Sequence, residues 1–215
     1  MLTIPRYRYG ARFYDTLSAE RFVYRRGRER AIALLRLRPG DRVLVVGCGT
    51  GLDLPLLAAA VRGHGVVVGL DKSLAMLAQA RRKVERAGWS NITLVQGDAA
   101  HPEGVGERFD AVLFSYSLAI IDDWDRAWSA ALARVRAGGR VAVLDTDLPT
   151  GLGTPLRPLA RLALWTGGVD RSRQVWSAVT ETLDVPQHER LLHGHIHVAA
   201  GTAPGQARPR GGAVG

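Results

Sequence analysis

The apolar positions along this chain change period several times, and each change marks an element. Val43-Leu44-Val45-Val46 is an unbroken apolar run, mostly β-branched, as in a strand buried on both faces of a parallel sheet. Val66–Asp71, Ser90–Val95, Ala111–Phe114 and Val141–Leu144 predict four further strands. Between them the spacing turns helical. Helices are predicted over Ser18–Leu37, with Phe22, Val23, Ala31, Leu34 and Leu35 as the apolar side, and over Asp53–Val61, Ser73–Arg86 and Trp124–Val135. Pro39-Gly40 ends the first of these, and Pro55 is tolerated in the first turn of the second. Pro155–Trp165 predicts a helix with Leu156, Leu159, Leu162 and Trp165 apolar. Glu189–His193 and His195–Ala200 read as two short strands of a closing hairpin. Ala203–Gly215 holds little to bury and is expected to be a flexible tail. Strands alternating with helices give an α/β fold.

Length admits one such domain with a full core. Cys48 is the sole cysteine, so no intrachain disulfide forms. No segment approaches the roughly 18 apolar residues of a spanning helix. The start lacks a signal-peptide core, and a cytoplasmic setting is expected. The formal charge is +9, carried almost wholly by arginine. That balance suits an anionic membrane surface, or reflects a compositional preference for Arg over Lys. Nucleic acid is the weaker option, because neither zinc-finger spacing nor an aromatic–basic RNA-binding pattern is present.

The chemistry concentrates after the first strand. Gly47-Cys48-Gly49-Thr50-Gly51 frees the backbone for a tight turn and leaves no Cβ in the way of a ligand. The dinucleotide pattern needs its third glycine one residue later, where Leu52 stands, and no Walker lysine follows. Asp71 ends the second strand, where a carboxylate accepts ribose hydroxyls or caps the next helix. Gln96-Gly97-Asp98-Ala99 ends the third strand. Ser115, Tyr116 and Ser117 lie just past the fourth, where ligands of open α/β sheets bind.

The order and spelling of Gly47–Gly51, Asp71, Gly97-Asp98-Ala99 and Phe109-Asp110 resemble the class I S-adenosylmethionine (SAM) dependent methyltransferases. The resemblance covers about residues 14–147. It implies a Rossmann-like fold, with a mostly parallel seven-stranded sheet and an antiparallel C-terminal hairpin. Residues 1–39 would form a lid helix over a SAM-binding domain of residues 40–202, with 203–215 as the tail. It also implies SAM contacts from Tyr14, Gly47, Cys48, Gly49, Thr50, Gly51, Asp71, Lys72, Asp98, Ala99 and Ser115. Tyr14 has a core role as its alternative. Tyr116 and His195 are the candidate catalytic residues. His193, His195 and His197 alternate, so on a strand they share one face, lining the pocket or facing solvent. No metal-ligand spacing is present.

One departure stands out. The family's motif usually carries an acid two residues before its first glycine, and this chain has Val45. Either Asp53, just past the turn, takes over that charge, or SAM binding is weaker, or water does the work. Phe114-Ser-Tyr-Ser-Leu118 and Ile120-Ile-Asp-Asp-Trp124 look most like bacterial phosphatidylethanolamine and betaine-lipid N-methyltransferases. This implies a small-molecule or lipid amine acceptor and peripheral contact with anionic membrane. Ubiquinone/menaquinone C-methyltransferases, or natural-product C/O-methyltransferases, are the runner-up. A non-catalytic SAM-fold protein is the alternative of another class. The helix Pro155–Trp165 reads as a pocket lid or as a membrane-surface helix.

Overall fold

The computed structural model describes residues 24–167, 170 and 173–205. A seven-stranded sheet runs in the order β3-β2-β1-β4-β5-β7-β6. Its strands are β1 (Arg42–Val46), β2 (Val66–Asp71), β3 (Ile92–Gln96), β4 (Phe109–Ser115), β5 (Val135–Thr146), β6 (Asp184–Leu191) and β7 (Ile196–Thr202). The first five pair in parallel, and only β7 runs against its neighbours on both sides. The expected mostly parallel sheet with an antiparallel C-terminal hairpin is therefore present.

The unbroken apolar runs are explained by cover on both faces. Val43 and Val45 join one core, Leu44 and Val46 the other. Phe114, Val141, Val143 and Trp128 fill the second core, while Leu113, Leu144, Ile196 and Val198 fill the first. Helix α1 (Arg25–Leu35) lies on the first face through Ala31, Ile32, Leu34 and Leu35. Each of the larger three side chains contributes about 1.5–3 kcal/mol when fully buried. Helices α2 (Leu54–Val61), α3 (Leu74–Ala87) and α4 (Trp124–Leu132) follow β1, β2 and β4. Helix α4 stops three residues before its expected end because Val135 already pairs with Phe109 at the start of a long β5. A 3-10 segment (Gly151–Leu156) continues into α5 (Arg157–Gly167), and a short helix α6 (Ser177–Thr182) precedes the hairpin.

The expected helix start at Ser18 and most of the tail lie outside the described residues. At the near end of that tail Ala203 is buried and exchanges backbone hydrogen bonds with Gly138 and Gly139.

Candidate functional site

The C-terminal ends of β1, β2, β4 and β5 gather the chemistry. Gly47, Gly49 and Gly51 all adopt positive φ, at 69°, 55° and 79°. A Cβ on Gly47 would lie 2.5 Å from Ser117 Cβ, and one on Gly51 2.6 Å from Leu54 Cδ1. Gly49 instead faces open space, with nothing within 4 Å. The turn thus packs tightly at its ends and stays open at its middle, as a cradle for a polar ligand requires.

Asp71 closes the turn from β2. Its Oδ2 accepts the Gly49 N–H at 2.7 Å and its Oδ1 accepts the Ser73 N–H at 2.8 Å. Burial pushes this carboxyl above its ordinary value, and the backbone N–H groups of Ser73, Gly49 and Lys72 oppose that rise. The capping role belongs to Ser73, whose hydroxyl accepts the Met76 N–H at the start of α3. Lys72 donates to Asp98 across 2.9 Å in an exposed pair. The Ala100 N–H and the Lys72 ammonium hold Asp98 below the usual carboxylate range. Ala99, between them, is half-buried.

Two turn residues point inward. Cys48 is buried against Gly69, and burial pushes its thiol up, helped by the charges of Asp71 and Asp53. Thr50 is also buried, and its carbonyl accepts Lys83 Nζ at 2.8 Å. Both shape the turn through the backbone, and a ligand in the cradle would meet their main chain.

A buried polar cluster sits beside the turn. Arg28 Nη1 donates to Asp53 Oδ2 and to Ser115 Oγ, each at 2.8 Å, and Ser115 Oγ lies 3.1 Å from Asp53 Oδ1. Arg28 and Asp53 are 6% and 2% exposed. The first helix therefore sends one of its arginines into the interior. Two others are engaged with acids: Arg25 with Glu29, and Arg30 with Glu189. The signal for Arg28 was available, because it stands three, four and seven residues before Ala31, Ile32 and Leu35, on the apolar stripe. Val45 is fully buried in the first core.

Above this cluster lies an aromatic wall. Tyr116 holds φ 53°, and its hydroxyl donates to the Tyr24 carbonyl at 3.1 Å. A Cβ on Gly27 would sit 2.6 Å from that hydroxyl, so glycine at this helix position makes the approach possible. The Tyr24 and Tyr116 rings meet edge-to-face at 5.2 Å, and the Arg28 guanidinium lies over Tyr116 at 4.9 Å. His195 Nδ1 is 2.6 Å from the Asp147 carbonyl oxygen. A carbonyl only accepts, so Nδ1 carries the hydrogen and Nε2 keeps its lone pair. The Tyr24 hydroxyl approaches that Nε2 to 3.4 Å. Tyr24 had no distinguishing sequence pattern.

The shared histidine face is not formed. His193 and His195 belong to the hairpin turn, where Leu192, His193 and Gly194 take positive φ of 49°, 55° and 80°. Only His197 is on a strand, and it points away to stack on Trp176 with ring centroids 3.9 Å apart. Of the candidates, the structure gathers the turn glycines, Asp71, Ser115, Tyr116 and His195 at one edge. Tyr14 lies outside the described residues. Among the described residues no group of three His, Cys, Asp or Glu side chains is placed to hold a metal ion.

With this geometry in view, comparison with known proteins is informative. Residues 43–139 match a family model described as a methyltransferase domain. Demethylmenaquinone methyltransferase of Bacillus mycoides is 32% identical over 126 residues, covering 59% of this chain and 53% of that protein. The chain thus spans about half the length of the curated relatives it matches. A SAM-dependent methyltransferase structure from Aquifex aeolicus aligns with TM-score 0.58 at 16% identity, covering 82% of this chain and 89% of that one. An arsenic(III) SAM methyltransferase structure from Chlamydomonas reinhardtii aligns with TM-score 0.54 at 20% identity, covering 77% and 64%. The chain thus shares the fold of these methyltransferase structures, and residues 43–139 carry the matched methyltransferase domain.

Proposed function

We propose that this chain, which carries a class I SAM-dependent methyltransferase domain, moves a methyl group from SAM to a small amphiphilic acceptor. The observation that carries the reading is the open middle of the glycine turn, closed by Asp71 on one side and faced by the tyrosine–histidine wall at the same sheet edge. Asp71 would hold the ribose hydroxyls, with Gly47, Gly49 and Gly51 admitting the cofactor's approach to the backbone. Asp98 and Ala99 would meet the adenine. Arg28 and Asp53 carry the opposite charges that a methionine carboxylate and ammonium need, and so stand in for the acid that Val45 replaces.

When bound, SAM supplies an electrophilic methyl on a sulfonium. The protein then has to hold the nucleophile in line and exclude water. An acceptor that arrives protonated must also lose a proton. His195 Nε2 is the group oriented for this, with the Asp147 carbonyl fixing its tautomer. Tyr116 and Tyr24 would offer the acceptor's flat or apolar part an aromatic wall.

Two acceptor classes have support. A quinol carbon or hydroxyl is favoured by the 32% identity to demethylmenaquinone methyltransferases. It also suits the engagement of Asp145, at the end of β5, by the Ala119 and Thr146 N–H groups. An amine of the phosphatidylethanolamine or betaine-lipid type is favoured by the stretch Phe114–Trp124. Incubation with methyl-labelled SAM and a panel of demethylquinols, ethanolamine lipids and betaine-lipid precursors tests the proposal. Label in one of these acceptors is the expected result. SAM binding without label in any acceptor would favour the non-catalytic alternative.

A further inference from the structure

Tyr24 stands immediately before α1, on the side of the helix that packs on the sheet. Helical spacing puts Tyr24, Gly27, Arg28 and Ala31 on that side together. Gly27 lets it come close. A Cβ there would lie 3.0 Å from Leu144 Cδ1 on β5 and 3.0 Å from Ile196 Cγ2 on β7, the residue after His195. The Tyr24 carbonyl accepts the Tyr116 hydroxyl, so the main chain is held at the same point. The phenol then reaches the histidine, with Oη 3.4 Å from His195 Nε2 and the ring centroids 5.9 Å apart.

The direction of that contact follows from the tautomer. In the neutral ring Nδ1 gives its hydrogen to the Asp147 carbonyl, so Nε2 only accepts and the phenol donates. The phenol oxygen keeps lone pairs for a further hydrogen bond. The two rings also differ in access. His195 is 8% exposed, while Tyr24 is half-buried. A proton that comes from an acceptor at the wall therefore meets the phenol before it meets the imidazole.

We propose that Tyr24 is a catalytic residue, a relay that takes the acceptor's proton on its phenol oxygen and passes its own hydrogen to His195 Nε2. This rests on the methyl-transfer reading above and names a residue that acts together with His195. The acceptor's N–H or O–H bond breaks and leaves its electron pair on the acceptor, which forms the new bond to the methyl carbon. The methyl's bond to sulfur breaks and its pair stays on sulfur. The acceptor's proton joins Tyr24 Oη, and the phenol's former hydrogen ends on Nε2. The positive charge that leaves sulfur thus reappears on the imidazolium, and the phenol ends as it began. Alone, a phenol is a poor base near neutral pH, because its oxygen already carries a hydrogen. The imidazole behind it gives that hydrogen somewhere to go.

Tyr24→Phe is the test, because it deletes one oxygen and keeps both the ring against Tyr116 and the carbonyl that Tyr116 uses. The assay is methyl-labelled SAM with a demethylquinol and, separately, with an ethanolamine lipid. On whichever takes label from the wild type, kcat should fall by about 100-fold in Tyr24→Phe, with KM little changed. The deficit should shrink as pH rises toward the acceptor's own ionisation, where no relay is needed. His195→Gln should lose about as much. The double variant should lose no more than either single one, since both residues act on one proton. S-adenosylhomocysteine affinity, read by calorimetry, should stay at the wild-type value in all three. Wild-type turnover in Tyr24→Phe, losses that multiply in the double variant, or a loss carried by S-adenosylhomocysteine affinity would each overturn the relay alone. A wild-type protein that labels neither acceptor would overturn the relay together with the reading on which it rests.

Discussion

Arg28 Nη1 lies 2.8 Å from Asp53 Oδ2, and both side chains are buried beside the glycine turn. The pair joins α1 to the start of α2, so the first helix is tied to the glycine turn. Breaking a buried pair strands one charge out of water. Arg28→Met should therefore lower unfolding stability by about 3–5 kcal/mol, measured by denaturant titration. Asp53→Leu added to it should recover most of that loss, because no unpaired charge then remains.

The stability of the fold should change little between about pH 4 and pH 6, because two buried groups act in opposite directions there. Burial raises Asp145 from 3.8 to about 6, against the pull of the Thr146 and Ala119 N–H groups. Its proton is held more tightly folded than unfolded, so its contribution falls as pH rises through that window. Burial lowers His197 from 6.5 to about 4, aided by His188 and Arg190. Its contribution is present above the unfolded value and is lost as pH falls. His197→Phe removes the second dependence and leaves the first. The variant's denaturant midpoint should then fall as pH rises across the window, where the wild type's stays nearly level.

His195 and Tyr116 should affect turnover far more than cofactor affinity. His195→Gln removes the oriented lone pair at Nε2 and should cut kcat by about 100-fold or more on any acceptor that must lose a proton. Tyr116→Ala should lower kcat and raise KM for the acceptor. Calorimetry with S-adenosylhomocysteine should give near wild-type affinity in both variants. Equal losses of affinity and turnover would mean that these residues only support the cofactor site.

The parts that were legible in the sequence are those with local causes. Val43–Val46 reads as a doubly covered strand because neither face needs polar residues, and both cores confirm it. The glycine turn reads because its backbone admits few other residues. The shared histidine face was misread for the opposite reason. His193, His195 and His197 mimic strand alternation, yet Gly194 at φ 80° reverses the chain between them. The burial of Arg28 runs against its residue type, because arginine is usually solvated. Its partner Asp53 lies 25 residues on, and only the packing of α1 against the sheet brings the two together. Long-range charge pairing of that kind leaves almost no trace in local sequence. The helix expected over Pro155–Trp165 was visible from its spacing, but which side faces in is set by the small core of Leu148, Ala160 and Leu164.

Titration with S-adenosylhomocysteine in a calorimeter tests the central claim most directly, because it needs no knowledge of the acceptor. The protein should bind one equivalent saturably, with a matching rise in Tm, and NAD should give no heat. Asp71→Ala should weaken that binding by about 1–3 kcal/mol, through loss of charge-assisted hydrogen bonds to the ribose. Absence of any saturable binding by the wild-type protein, or an Asp71→Ala variant that binds as tightly as wild type, would contradict the account.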